Sequence, residues 1–184
     1  MSTKNPPDSP SEVSSSREEG IPAAESDSLA GYRKFLVPID FSEHSKKTVE
    51  SATQLALLTG GSITLLHVFQ VPNYPAAFYQ GLYTEHEQVK IQVDSLKREA
   101  NAQLSFVIEQ ITATGLEAQP LLRIGTAYDE IVNVAKEIRA DLIVIGSHGR
   151  AGFERFLVGS TAERVVQYAP CPVLVVKKKL ANPS

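Results

Sequence analysis

At 184 residues, 42% hydrophobic and 21% charged, the chain fits one ordinary globular domain with a sizeable core. Its net charge of −3 is uneven: within residues 1–30, Lys4 and Arg17 face six acids, which leaves residues 31–184 at a net +1. A near-neutral domain lacks the basic footprint of a sequence-independent nucleic-acid binder, so no nucleic-acid partner is expected. A single cysteine, Cys171, excludes an internal disulfide or a multi-thiolate metal site within one chain. Flanked by Pro170 and Pro172, it reads as a packed, inert thiol rather than a reactive one. No apolar run reaches the roughly 18 residues of a membrane span. The N-terminus has no signal-type apolar core, so no membrane association and a cytoplasmic location are expected.

Residues 1–30 hold four prolines and eight serines, with only Val13, Ile21 and Leu29 as larger aliphatics. Such a segment buries too little apolar surface to offset chain entropy, and it is expected to be a disordered polar tail. Its serines suit either phosphorylation or simple solubility. The domain then runs over 31–179, with 180–184 as a C-terminal tail.

RKFLVPI at 33–39 reads as the first strand, entering a turn at Asp40 and Phe41. Ser42 opens a helix in which Val49, Ala52, Leu55 and Ala56 share a face, and Gly60 and Gly61 stop it. SITLLHV at 62–68 is the second strand. The aromatic, proline-containing loop 69–84 follows. Its Tyr74, Phe78, Tyr79 and Tyr83 either line a ligand or partner surface or pack back onto the domain. From Glu85 to Thr114 comes the longest helical pattern, with Val89, Val93, Leu96, Ala100, Leu104, Val107 and Ile111 at spacings of three and four. Leu116 to Ile124 is the third strand. Gly125 then turns into a helix with Thr126 as N-cap and Ile131, Val134, Ala135 and Ile138 facing inward. Leu142 to Ile145, a helix from Ser160 to about Tyr168, and a last strand from Pro172 to Val176 complete the pattern. Alternating strands and helices predict an α/β fold: a doubly wound, five-stranded parallel sheet of Rossmann-like type. Ligands of such sheets sit beyond the strand C-termini at the switch point, where Asp40 and the turn after Ile145 would converge.

That second turn carries the chemistry. Gly146 and Gly149 leave the fourth strand, and after nine more residues Gly159, Ser160 and Thr161 open a helix. Without Cβ atoms, backbone N–H groups can approach phosphate oxygens, and a helix N-terminus carries partial positive charge. Neither the nucleotide-triphosphatase loop with its lysine nor the G-x-G-x-x-G dinucleotide fingerprint is present. What remains is a backbone cradle flanked by His148 and Arg150, whose guanidinium can add charge-assisted bonds to phosphate. Bland readings stand beside these. His148 could merely cap the turn, Gly146 could be only a turn residue, and Ser160 with Glu163 forms the sequence of a capping box that needs no ligand. Asp40 either accepts from ribose hydroxyls or simply starts the turn after the first strand.

The spacing Gly146-x-x-Gly149, nine residues, Gly159-Ser160 resembles the ATP-binding motif of the universal stress protein family. The opening VPIDFS, the strand LLHV and the ending APCPVLVVKK are similar to that family's first, second and last strands, so the likeness spans roughly 32–178. The resemblance implies strand order 3-2-1-4-5, in the wider class that includes adenine nucleotide alpha hydrolases, and a site for ATP. Pro38, Ile39, Asp40 and Val68 would surround adenine and ribose. Gly146, Gly149, Gly159, Ser160 and Thr161 would hold ribose and phosphates, with His148 and Arg150 nearby. Mg²⁺ or Mn²⁺ would bridge the phosphates with little ligation by the protein. Relatives lacking these glycines form a subgroup that does not bind ATP, and this chain has them. It departs from compact members in its tail, in loop 69–84, and in Ala162, which offers no hydroxyl.

The resemblance further implies a homodimer through strand 172–177, and Lys177 to Lys179 would equally suit a charged sheet edge. The function expected is that of an ATP-binding regulatory protein of the stress response, acting by binding and dimerisation rather than catalysis. A slow ATPase or phosphotransfer enzyme is the alternative, with Asp40, Glu43, His148 and Glu154 as the available helpers. A nucleotide-independent dimeric adaptor is a third reading.

Overall fold

The computed structural model describes residues 31–69, 85–148 and 158–177. The expectations for 1–30, for the aromatic residues of the loop, for Gly149, Arg150 and Glu154, and for 180–184 lie outside the described residues. Strand β1 (Lys34–Ile39) leads through helix α1 (Glu43–Thr59) to β2 (Ser62–Phe69). The long helix α2 (Glu85–Thr112) precedes β3 (Ala118–Ile124), and α3 (Ala127–Ile138) precedes β4 (Leu142–Gly146). Helix α4 (Ser160–Tyr168) and β5 (Val173–Val176) follow. All pairings are parallel, in the order β3-β2-β1-β4-β5. The order reverses between β1 and β4, which is the switch point.

Strand alternation sorts the core into two layers. On one face Phe35, Val37 and Ile39 of β1, Ile63 and Leu65 of β2 and Val144 of β4 pack with Ala52 and Ala56 of α1 and with Leu104 and Ile111 of α2. On the other, Leu36, Leu66, Ile143 and Ile145 meet Ile131, Val134 and Ala135 of α3 and Ala162 and Val165 of α4. β1 and β4 are buried on both faces, so their sequences read as continuous apolar runs rather than alternating ones. Each such large side chain contributes roughly 1.5–3 kcal/mol when removed from water. Most of the helical periodicity is realised as expected, but Leu96 of α2 lies 36% exposed, beyond the strip that Ala100 and Leu104 cover.

Two termini show how α1 is fitted. At its end Gly60 is left-handed (φ +63°), and Gly61 N–H reaches back to the Ala56 carbonyl at 2.9 Å. This is the six-to-one bond of a Schellman turn. At its start Ser42 is the N-cap in extended conformation and makes no side-chain cap bond; its hydroxyl donates to Asp40 Oδ1.

Cys171 is a half-buried member of the α3/α4 layer, packed as expected. Burial pushes its thiol pKa up, and Asp141 adds to the rise, so it stays protonated at neutral pH.

Candidate functional site

Pro38 interrupts the hydrogen-bond ladder between β1 and β4. The Lys34 carbonyl accepts from Asp141 N–H, so residues 34, 36 and 38 of β1 present their backbone groups toward β4. Pro38 has no N–H to give, and the β1–β4 register runs only from Phe35↔Leu142 to Leu36↔Ile143. Pairing with β2 continues to Ile39↔His67. Past Leu36 the hydrogen-bond ladder of β1 therefore continues with β2 alone. Pro38 and Ile39 are buried, and Val68 is half-buried against the α3/α4 layer.

Asp40 follows directly. Its Oδ1 accepts from Ser42 Oγ (2.6 Å), Ser45 Oγ (2.7 Å) and Ser42 N–H (3.1 Å), and its own N–H donates to Ser45 Oγ (3.0 Å). Starting the turn is thus a role the structure shows for Asp40. Ser42 and Ser45 are residues of this network that sequence reasoning did not assign to the site, although their spacing after an aspartate was visible. Between Asp40 and Ser42, Phe41 adopts φ +62°.

The opposite wall is the end of β4. A Cβ on Gly146 would lie 3.1 Å from Thr48 Oγ1, 3.4 Å from the His148 carbonyl and 4.0 Å from His44 Cβ. Gly146 is therefore a point of close approach to α1, a packing feature distinct from both the turn and the phosphate readings. Ser147, 2% exposed, donates its N–H to the Val176 carbonyl, accepts Gly159 N–H at 2.7 Å, and has its hydroxyl 3.0 Å from His148 Nδ1. It ties β4, β5 and the start of α4 together, a role hidden in the sequence because the glycine spacing alone is legible there. The His44 and His148 ring centroids are 6.0 Å apart, so α1 and the turn after β4 each bring an imidazole to the same place.

At α4 the capping-box reading is corrected. Gly159 is the N-cap, with φ −76° and ψ 158°, Ser160 is the first helical residue, and no side chain caps the helix. Ser160 sits one position too late for the box, and its hydroxyl lacks the N-cap geometry. The first intrahelical bond is Glu163 N–H to the Gly159 carbonyl. The N–H groups of Ser160, Thr161 and Ala162 consequently have no acceptor in the helix. Ser160 is exposed and Thr161 half-buried. A Cβ on Gly159 would stand 3.3 Å from the Ser147 carbonyl, so this N-cap is also a point of close approach. Strand ends, an uncapped helix N-terminus and glycine-bounded backbone form a cradle whose chemistry favours an anion. Among the described residues no group of three His, Cys, Asp or Glu is placed to hold a metal ion, and no helix is long and apolar enough to cross a membrane.

The model of the universal stress protein family matches residues 31–177, and the chain belongs to that family. Universal stress protein MJ0531 of Methanocaldococcus jannaschii is 33% identical over 147 residues, covering 80% of this chain and 83% of its own. YxiE of Bacillus subtilis, also a universal stress protein, is 31% identical over 147 residues, covering 79% and 99%. Among solved structures, MJ0577 superposes with a TM-score of 0.72 at 27% identity, covering 82% of this chain and 99% of its own. A universal stress protein of Archaeoglobus fulgidus solved in complex with dAMP gives a TM-score of 0.55 at 25% identity, covering 80% and 99%.

Proposed function

We propose that this protein is an adenine-nucleotide-binding regulator whose ligand is ATP, held by backbone amides at the switch point. The observation that carries the reading is the uncapped first turn of α4, with three N–H groups lacking helical acceptors beneath a glycine N-cap. The relative from Archaeoglobus fulgidus, solved with dAMP, supports the adenine and single-phosphate part of that ligand. In this reading Ser160, Thr161 and Gly159 grip phosphate, with Gly146, Gly149, His148 and Arg150 beside them. Pro38, Ile39, Asp40 and Val68 face base and ribose. Mg²⁺ or Mn²⁺ would ride on the phosphate oxygens and neutralise their charge. Calorimetric titration is expected to show one ATP per chain with a dissociation constant in the micromolar range, about −8 kcal/mol. GTP should bind at least about tenfold more weakly. No heat with ATP, or equal affinity for GTP, overturns the reading.

The regulatory role extends to assembly, with β5 as the seam of a homodimer. Among the described residues β5 pairs only with β4, and Leu174 is 39% exposed on it. An apolar hollow of about 320 Å³ lies beside it, lined by Tyr32, Leu55, Leu142, Val173 and Leu174 among others. This hollow is at the strand N-termini, away from the nucleotide crevice, so a partner seated there leaves the crevice open. Leu174→Glu is expected to shift the sedimentation mass from dimer to monomer while ATP binding persists. A wild-type monomer, or an unchanged mass in the variant, excludes this seam.

A further inference from the structure

Among the described residues, two other than glycine take positive φ: Arg139 and Phe41. Arg139 is the C-cap of α3, where a left-handed residue closes helices routinely. Phe41 has no such excuse, since a bulky aromatic in this region is an outlier that only its surroundings can hold. Its ring packs against the α1/α2 layer of the core, and two further contacts bear on its backbone. On one side, the Asp40 carboxylate gathers the N–H and hydroxyl of Ser42 and the hydroxyl of Ser45. On the other, the His67 ring lies 4.4 Å from the Phe41 ring, centroid to centroid, inclined at 42°. His67 is itself anchored, with Nδ1 2.9 Å from the Ile39 carbonyl. A carbonyl only accepts, so Nδ1 bears the proton in this contact.

We propose that His67 is a positioning residue for the nucleotide site, holding Phe41 left-handed so that the Asp40 turn is set before ligand arrives. The inference rests on the nucleotide reading above and adds the device that prepares its base-and-ribose wall. The geometry links the parts in sequence. β1 reverses into α1 within Asp40, Phe41 and Ser42, and with residue 41 left-handed Ser42 N–H and Ser45 Oγ meet on one carboxylate oxygen. His67 occupies the strand position paired with Ile39, so β2 supplies the brace at the register where β1 ends. The brace acts through residue 41, so its effect should vanish once that residue no longer needs holding. A glycine at 41 reaches the left-handed region without the Cβ penalty and needs no brace.

The test compares wild type, His67→Ala, Phe41→Gly and the double variant in the full chain, at a temperature where circular dichroism shows all four folded. Two quantities are read: ATP affinity by calorimetry, and hydrogen exchange at the Asp40 and Ser42 amides, both hydrogen-bonded in this turn. His67→Ala is expected to weaken ATP at least about fivefold and to speed exchange at both amides. The double variant is expected to match Phe41→Gly within about twofold in both readouts. If His67→Ala changes neither quantity, or its loss persists in full in the glycine background, the positioning role is overturned. Faster exchange with unchanged ATP affinity overturns it as well, because the turn then does not serve the ligand. Should wild type bind no ATP, the proposed function fails, and the exchange pattern alone supports or overturns His67 as the residue that sets the turn.

Discussion

Gly61→Ala is expected to cost about 2–4 kcal/mol of stability, the sum of overpacking and a damaged ladder bond. A Cβ at this position would lie 2.6 Å from Phe35 Cε2 and 2.7 Å from the Arg33 carbonyl oxygen. Neither neighbour can yield cheaply. Phe35 is 1% exposed at the centre of the α1/α2 layer, and the Arg33 carbonyl accepts Ser62 N–H at 2.7 Å, where β2 first joins β1. Relief by moving the chain would also loosen the Gly61-to-Ala56 bond that ends α1. Urea unfolding checks this: the midpoint should fall with the slope unchanged, because the same surface is exposed. A loss below about 1 kcal/mol would mean that the β1–β2 entry relaxes freely, and that the close approach is no constraint on the fold.

Gly61 illustrates how much of the fold could be read from the sequence. The glycine pair was legible as a helix stop, since periodicity ended there and an apolar β-branched run began. That the second glycine answers to Phe35, far away in sequence, was not legible, because close approach is a tertiary fact. The same division holds at the site. The alternation of strands and helices placed Asp40 and the Gly146 turn at the C-terminal ends of β1 and β4, and the sheet order sets them side by side. The capping box failed because Ser-x-x-Glu records a possible bond and not which residue is the N-cap; Gly159 holds that place. The left-handed state of Phe41 and the contact with His67 left no local signature, since aromatic and histidine are ordinary strand-end residues. Pro38, by contrast, was visible in a strand pattern. Its consequence for the β4 side follows only once the direction of the Lys34 carbonyl is known.

Gly159→Val is expected to raise the dissociation constant for ATP at least about tenfold, equivalent to ~1.4 kcal/mol, and to leave the protein folded. The backbone here, φ −76° and ψ 158°, admits any residue, so no strain arises from the dihedral angles themselves. A Cβ meets the Ser147 carbonyl at 3.3 Å and His148 Cα at 3.8 Å, a crowding that a shift of a few tenths of an ångström can absorb. The two methyl groups are a different matter. They stand at the N-cap, beside the N–H groups of Ser160, Thr161 and Ala162, in the space the proposed phosphate would enter. They also replace water and ligand by hydrocarbon where the helix dipole favours negative charge. The stability cost is therefore modest and the binding cost large, which is the signature of a site residue. Far-UV circular dichroism and a melt test the first half, and calorimetric titration with ATP tests the second. A folded variant that binds ATP as tightly as wild type would show that phosphate does not sit on this helix terminus. A variant that binds weakly only because it has begun to unfold would show equal losses for every ligand and a melting midpoint near the assay temperature, which the melt detects directly.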